Sequence, residues 1–181
     1  MYKIMVVDDE ENILKSIKRI LSRCKDWDVE IFDKPELALK CAMKNRFDLY
    51  ISDYRMPETD GITFLKDIKT LQPDSMRIIL SGYTDLDALM GAINQAEIFR
   101  FITKPWSDEY LLSSIGQALK YRDTLLENER LANQVKQQRS ELDKQKRLME
   151  EYKDQHPDLF KVEWAEDGSI ILDDVEQGDG F

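Results

Sequence analysis

The chain has 181 residues, 42% of them hydrophobic and 34% charged, with a formal net charge of −10. That length allows one domain of ordinary size plus an extension, and the acidity argues against non-specific binding to nucleic acid or an anionic membrane. The first apolar run meets acid at Asp8, too early for a signal peptide, and no run approaches transmembrane length, so a soluble cytoplasmic protein without membrane insertion is expected.

Lys3 to Val7 reads as a first strand, stopped by Asp8-Asp9-Glu10-Glu11. Ile13, Leu14, Ile17, Ile20 and Leu21 then recur at helical spacing as far as Cys24. Val29 to Phe32 predicts a second strand, and Pro35-Glu36 opens a helix with Leu37, Ala38, Cys41 and Ala42 facing inward. The run Leu49-Tyr50-Ile51 predicts a buried third strand that delivers Asp53 into a loop closed by Pro57, Asp60 and Gly61. A third helix carries Ile62, Phe64, Leu65 and Ile68, and Arg77 to Leu80 forms a fourth strand ending at Ser81-Gly82. Thr84-Asp85-Leu86-Asp87 starts a capped helix through Ile93. Phe99 to Ile102 is a fifth strand before Thr103-Lys104-Pro105, and Ser107-Asp108-Glu109 opens a final helix. Cys24 and Cys41 lack metal-ligand spacing and read as reduced thiols.

Strands alternating with helices imply right-handed crossovers and a doubly wound parallel α/β sheet. Ligands of such sheets bind outside the carboxyl ends of the strands. Asp8 and Asp9 follow the first strand, Asp53 the third, Ser81 the fourth and Lys104 the fifth, so four strand ends converge on one crevice. Carboxylates crowded together repel, and a hard divalent cation such as Mg²⁺ (or Mn²⁺) relieves the conflict. Asp53 can then stay ionised and act as a nucleophile towards phosphorus, with Lys104 and Ser81 donating to phosphoryl oxygens.

The segments Val6-Val7-Asp8-Asp9-Glu10, Ser52-Asp53-Tyr54-Arg55-Met56-Pro57, Leu80-Ser81-Gly82-Tyr83 and Phe101-Ile102-Thr103-Lys104-Pro105-Trp106 together resemble the receiver domain of bacterial two-component response regulators. The resemblance spans residues 1–120 and implies a flavodoxin-like strand order, 2-1-3-4-5. It implies that Asp53 accepts a phosphoryl group from a histidine kinase or phosphotransfer protein. It further implies that Asp9, Asp53 and the Arg55 carbonyl ligate the metal, with Asp8 acting through water. Ser81 and Lys104 would contact the phosphoryl group, Phe101 would be the switch aromatic, and Lys104–Pro105 would be cis. Arg55 and Tyr83 would tune acyl-phosphate lifetime. The readout face would be the fourth helix, fifth strand and fifth helix, with Leu86, Leu89, Ile93, Arg100 and Trp106 as candidates. Such a module is a switch with slow autodephosphorylation rather than a dedicated enzyme. The alternatives are a phosphorylation-independent dimeric scaffold and a Mg²⁺-dependent small-molecule phosphatase, against which the absence of an acid at position 55 counts.

From Tyr121 to Lys153 there is no Gly or Pro, and a heptad with a at Tyr121, Asn128, Val135, Leu142 and Met149 predicts a coiled coil and a homodimer through residues 121–153. His156-Pro157 ends the helix, and His156 reads as a linker residue. Residues 154–181 hold a predicted hairpin around Asp167-Gly168 and an acidic, disordered end. No DNA-recognition helix follows the receiver-like part, so the expected output is contact with a downstream protein.

Overall fold

The computed structural model describes residues 1–82 and 96–157, together with the backbone of 163–164 and 170–171. Five parallel strands, β1 (Tyr2–Val7), β2 (Trp27–Phe32), β3 (Leu49–Asp53), β4 (Met76–Ser81) and β5 (Arg100–Thr103), form one sheet in the order β2-β1-β3-β4-β5. This is the flavodoxin-like order that the family resemblance implied, in the doubly wound parallel sheet expected from the alternation of strands and helices. The helices are α1 (Glu11–Leu21), α2 (Pro35–Ala42), α3 (Gly61–Leu71) and α4 (Asp108–Gln155). The helix predicted over residues 84–93, with Leu86, Leu89 and Ile93, lies outside the described residues, as does Tyr83.

The sheet is apolar on both faces, which is why its central strands read as unbroken hydrophobic runs. Along β1, Ile4 and Val6 join a core with Leu14, Ile17 and Ile20 of α1 and Leu111, Ile115 and Leu119 of α4. Met5 and Val7 point the other way, towards Ala38 and Ala42 of α2 and Phe64, Leu65 and Ile68 of α3. Leu37 was expected inward but is 47% exposed. Ala38 and Ala42 are four residues apart and stack on one line of α2, whereas Leu37 lies about 100° round the helix from Ala38.

At the amino end of the sheet, α4 is tied down by polar contacts. Arg122 pairs with Asp48 at 3.0 Å and donates from Nε to the Asp74 carbonyl at 3.0 Å. Tyr2 Oη donates to Asp123 at 2.6 Å, and Asp48 accepts from the Lys3 N–H at 2.7 Å. The Ser107 hydroxyl accepts from the Tyr110 N–H at 3.2 Å, capping the helix start.

Gly116 sits inside α4, and a Cβ built there meets nothing within 4 Å. No packing demand accounts for a glycine at this helical position, where it costs about 0.5–1 kcal/mol relative to alanine. Gly116→Ala is therefore expected to raise Tm by about 2–4 °C in a thermal melt. A fall in Tm would mean that a methyl group there is not free of contact.

The chain divides into two compact units, Met1–Glu129 and Arg130–Phe181. The second unit contains the remainder of α4, which continues unbroken to Gln155, and an antiparallel pair, β6 (Glu163–Trp164) with β7 (Ile170–Ile171). The predicted Asp-Gly turn of that pair and the acidic end lie outside the described residues. Among the described residues no helix is long and apolar enough to cross a membrane.

Candidate phosphoacceptor site

Asp8 leaves β1 wholly buried, and Asp53, the last residue of β3, is 6% exposed. Lys104, at the end of β5, bridges them: Nζ lies 2.7 Å from Asp8 Oδ2 and 2.5 Å from Asp53 Oδ1. Backbone contacts fix all three positions. Lys104 N–H donates to the Ser81 carbonyl at 2.8 Å, Tyr54 N–H to the Leu80 carbonyl at 2.8 Å, and Asp8 N–H to the Phe32 carbonyl at 3.2 Å. Lys104–Pro105 is cis, as the resemblance implied.

Burial pushes both the Asp8 and Asp53 carboxyls above the ordinary carboxylate value, and hydrogen bonds from Lys104 oppose that rise. The Arg55 N–H also donates to Asp53, and the Glu10 N–H donates to Asp8 Oδ1 at 2.9 Å. Burial by itself pulls the Lys104 ammonium down, but its bonds to Asp53 and Asp8 outweigh this and hold it above the usual lysine value. The ammonium thus supplies the positive charge that crowded carboxylates require.

The Ser81 hydroxyl is buried at the end of β4 and has no hydrogen-bond partner. A buried hydroxyl without a partner costs free energy, so an incoming acceptor oxygen would find a donor already desolvated. Phe101, on β5 beside Ile79, is half-buried against the α2–α3 side of the core. Arg55 is exposed, and its N–H rather than its guanidinium is what reaches Asp53.

Asp9 was expected as a third carboxylate of the cluster. It is exposed and lines a neighbouring groove of about 290 Å³ with Asp33, Lys34, Pro35, Pro57 and Glu58. Among the described residues no three acidic, His or Cys side chains form a group disposed to hold a metal. Side chains of consecutive residues leaving a strand diverge, and here the buried direction falls to Asp8. A separate cavity of about 480 Å³, lined by Pro73–Arg77, Glu97, Phe99 and Tyr121 near the amino ends of β4 and β5, holds no such cluster of buried charges. The chemistry follows the buried charges rather than the size of the hollow.

By sequence Gly61 is a turn former, and in the structure it has a larger part. A Cβ at Gly61 would stand 1.9 Å from the Asp53 carbonyl oxygen and 3.0 Å from Ser52 Oγ. The start of α3 therefore rests directly on the backbone of the candidate nucleophile. Asp60 makes that start possible, since its side chain accepts from the Thr63 N–H at 2.8 Å as the N-cap of α3.

Against this geometry the comparisons are decisive. Residues 4–116 match the response regulator receiver domain. The chain belongs to the response regulator receiver family. The receiver is 32% identical over 117 residues to the hydrogenase transcriptional regulatory protein HoxA of Bradyrhizobium diazoefficiens, covering 65% of this chain and 24% of that one. It is 31% identical over 118 residues to the DNA-binding transcriptional regulator NtrC of Proteus hauseri, covering 65% and 24%. The chain thus spans about a quarter of the length of these curated relatives. Among solved structures, the signal receiver domain of an HD domain-containing protein from Pseudomonas fluorescens superposes with a TM-score of 0.66 at 34% identity, covering 70% of this chain and 92% of that one. A response regulator receiver domain from Clostridium thermocellum gives 0.64 at 31% identity, covering 69% and 99%.

Proposed function

We propose that Asp53 accepts a phosphoryl group from a histidine kinase or histidine phosphotransfer protein in the cytoplasm. An Asp53 carboxylate oxygen forms the new O–P bond as the donor's P–N bond breaks, and the imidazole nitrogen leaves. The observation that carries this reading is the orphaned Ser81 hydroxyl next to a buried Asp–Lys–Asp bridge. That arrangement offers a nucleophile, a cation and a free donor for phosphoryl oxygens, and positioning with charge neutralisation is most of what phosphoryl transfer requires.

The donor set also fits Mg²⁺ or Mn²⁺, which takes one or two carboxylates, a carbonyl and retained waters. Asp9, Asp53 and the Arg55 carbonyl would hold it, with Asp8 acting through water, as the family resemblance implies. Bound there, it neutralises charge on the phosphoryl oxygens. Lys104 can then exchange an Asp53 oxygen for a phosphoryl oxygen, and Ser81 can donate to another. In this reading Phe101 follows the Ser81 hydroxyl inward, and the population of an active arrangement rises with phosphorylation. The carboxylate is restored by slow hydrolysis, so the chain is a switch and not a dedicated enzyme. Its output is contact with a downstream protein without direct DNA binding, and residues 121–153 are its self-association segment.

Intact mass after incubation with Mg²⁺ and a small phosphodonor tests the chemistry. Wild type should gain one phosphoryl adduct that Asp53→Asn does not, and no adduct should form when the metal is chelated before the phosphodonor is added. An adduct that persists in Asp53→Asn would move the acceptor elsewhere.

A further inference from the structure

We propose that Leu131–Tyr152 forms a parallel, in-register two-stranded coiled coil with a second copy of this chain. This deepens the self-association reading above by fixing the orientation and alignment of the partner, and it is independent of the phosphoryl chemistry.

The helix leaves apolar side chains in water: Leu131, Val135, Leu142, Met149 and Tyr152 are 45–63% exposed, and Leu148, beside this row at a g position, is 56% exposed. The first five recur at the a and d positions of one heptad frame, with a at Val135, Leu142 and Met149 and d at Leu131 and Tyr152. The opposite face, at b, c and f, carries only polar residues from Lys136 to Glu151, including Asp143, Lys144 and Arg147. A helix so divided gains stability by covering its seam, since an isolated helix in water is marginal.

Two features identify the occupant and its direction. The remaining d positions are Gln138 and Gln145. In a parallel, aligned pair d faces d, so each glutamine meets its own counterpart and the two amides can bond to each other. In an antiparallel pair d faces a, which would bury both amides against Val135, Leu142 or Met149 without a partner, at a cost. The flanks agree. Every charged e position is basic (Arg139, Lys146, Lys153), and the charged g position is Glu141. Antiparallel packing sets e against e, base against base. Parallel packing sets g against the following e, so that Glu141 faces Lys146 of the second copy. A slide of one heptad would lose an apolar layer and would also place Asn128 against Val135.

The test uses the full chain with Cys24 and Cys41 replaced by serine. Gln145→Cys in that background should form a disulfide-linked dimer under mild oxidation, because a parallel aligned pair sets the two residues face to face, whereas an antiparallel pair centred on the seam sets position 145 opposite the stretch around position 138. In sedimentation equilibrium, Glu141→Lys alone and Lys146→Glu alone should each weaken the dimer about three- to tenfold. The double exchange should restore it to within about threefold, which only g-to-e contact permits. A monomer at all concentrations overturns the association. A dimer that does not cross-link at 145, or that the double exchange fails to restore, overturns the orientation. The same measurements on Asp53→Asn should be unchanged, which keeps this outcome separate from that of the phosphoacceptor assay.

Discussion

Gly61→Ala should destabilise the domain by at least about 3 kcal/mol and at the same time abolish efficient phosphoryl uptake at Asp53. The added methyl would stand 1.9 Å from the Asp53 carbonyl oxygen, and both atoms belong to backbone or to a carbon fixed on it. No side chain can swing away to relieve the overlap. The carbonyl is further held by Ser52 Oγ, which donates to it at 2.9 Å, and by the pairing of Asp53 with Leu80 in β4. Gly61 is itself tied by its N–H to the Tyr54 carbonyl at 2.9 Å. Something in the β3–α3 connection must therefore move, and the overlap falls on Asp53, the candidate nucleophile. Urea denaturation and the mass assay check this together. A midpoint and an uptake rate both equal to wild type would show that the connection yields without cost.

Lys104→Met removes the cation between two buried carboxylates. Breaking a buried pair by deleting one partner costs about 3–5 kcal/mol, because the charge left behind has no compensation. The loss should depend on pH. Asp8 and Asp53 already titrate above the ordinary carboxylate value, through burial first, and without Lys104 they should rise further. Between the unfolded and folded carboxylate values the folded chain then holds protons that the unfolded chain has released. Stability of the variant should thus fall as pH rises through that window and level off above it. Wild type keeps the contribution of its Lys104 bonds across neutral pH, losing it at alkaline pH as the raised ammonium titrates and in acid as the two carboxyls take up protons. The gap in Tm between the two proteins should accordingly be smaller at pH 5 than at pH 8. Added Mg²⁺ should raise the Tm of the variant more than that of wild type, since in wild type the ammonium competes for the same oxygens. A gap independent of pH would mean that the two carboxylates do not depend on Lys104.

Much of the fold was legible because the central strands are buried on both faces. Leu49 to Ile51 and Ile78 to Leu80 stand out as apolar runs that no amphipathic helix would produce. The strand β2 was harder to bound. It begins at Trp27, two residues before the predicted start, because Trp27 to Phe32 alternates between polar and apolar residues along an edge. Strand order was implied by the family resemblance, since alternation alone leaves several parallel orders open. At the site, the positions of Asp8, Asp53, Ser81 and Lys104 at strand ends followed from the chain itself. What spacing could not convey was direction. That Asp8 turns in while Asp9 turns out, and that one ammonium spans two carboxylates, depends on how four strand ends meet in space. Gly61 was hidden for the same reason, since its contact is with backbone eight residues earlier, and a turn glycine looks alike whether or not something presses on it.

The unfilled space at Gly116 offers a way to separate folding from chemistry. A variant such as Gly61→Ala or Lys104→Met confounds the two, because a protein that unfolds also stops reacting. An alanine at 116 should restore part of the lost stability, and since its methyl touches no other group its effect should add to those of the site variants. The helix thus carries its own global suppressor. Site changes made in the Gly116→Ala background can be read for what they do to phosphoryl uptake, with a larger share of the molecules folded to report it.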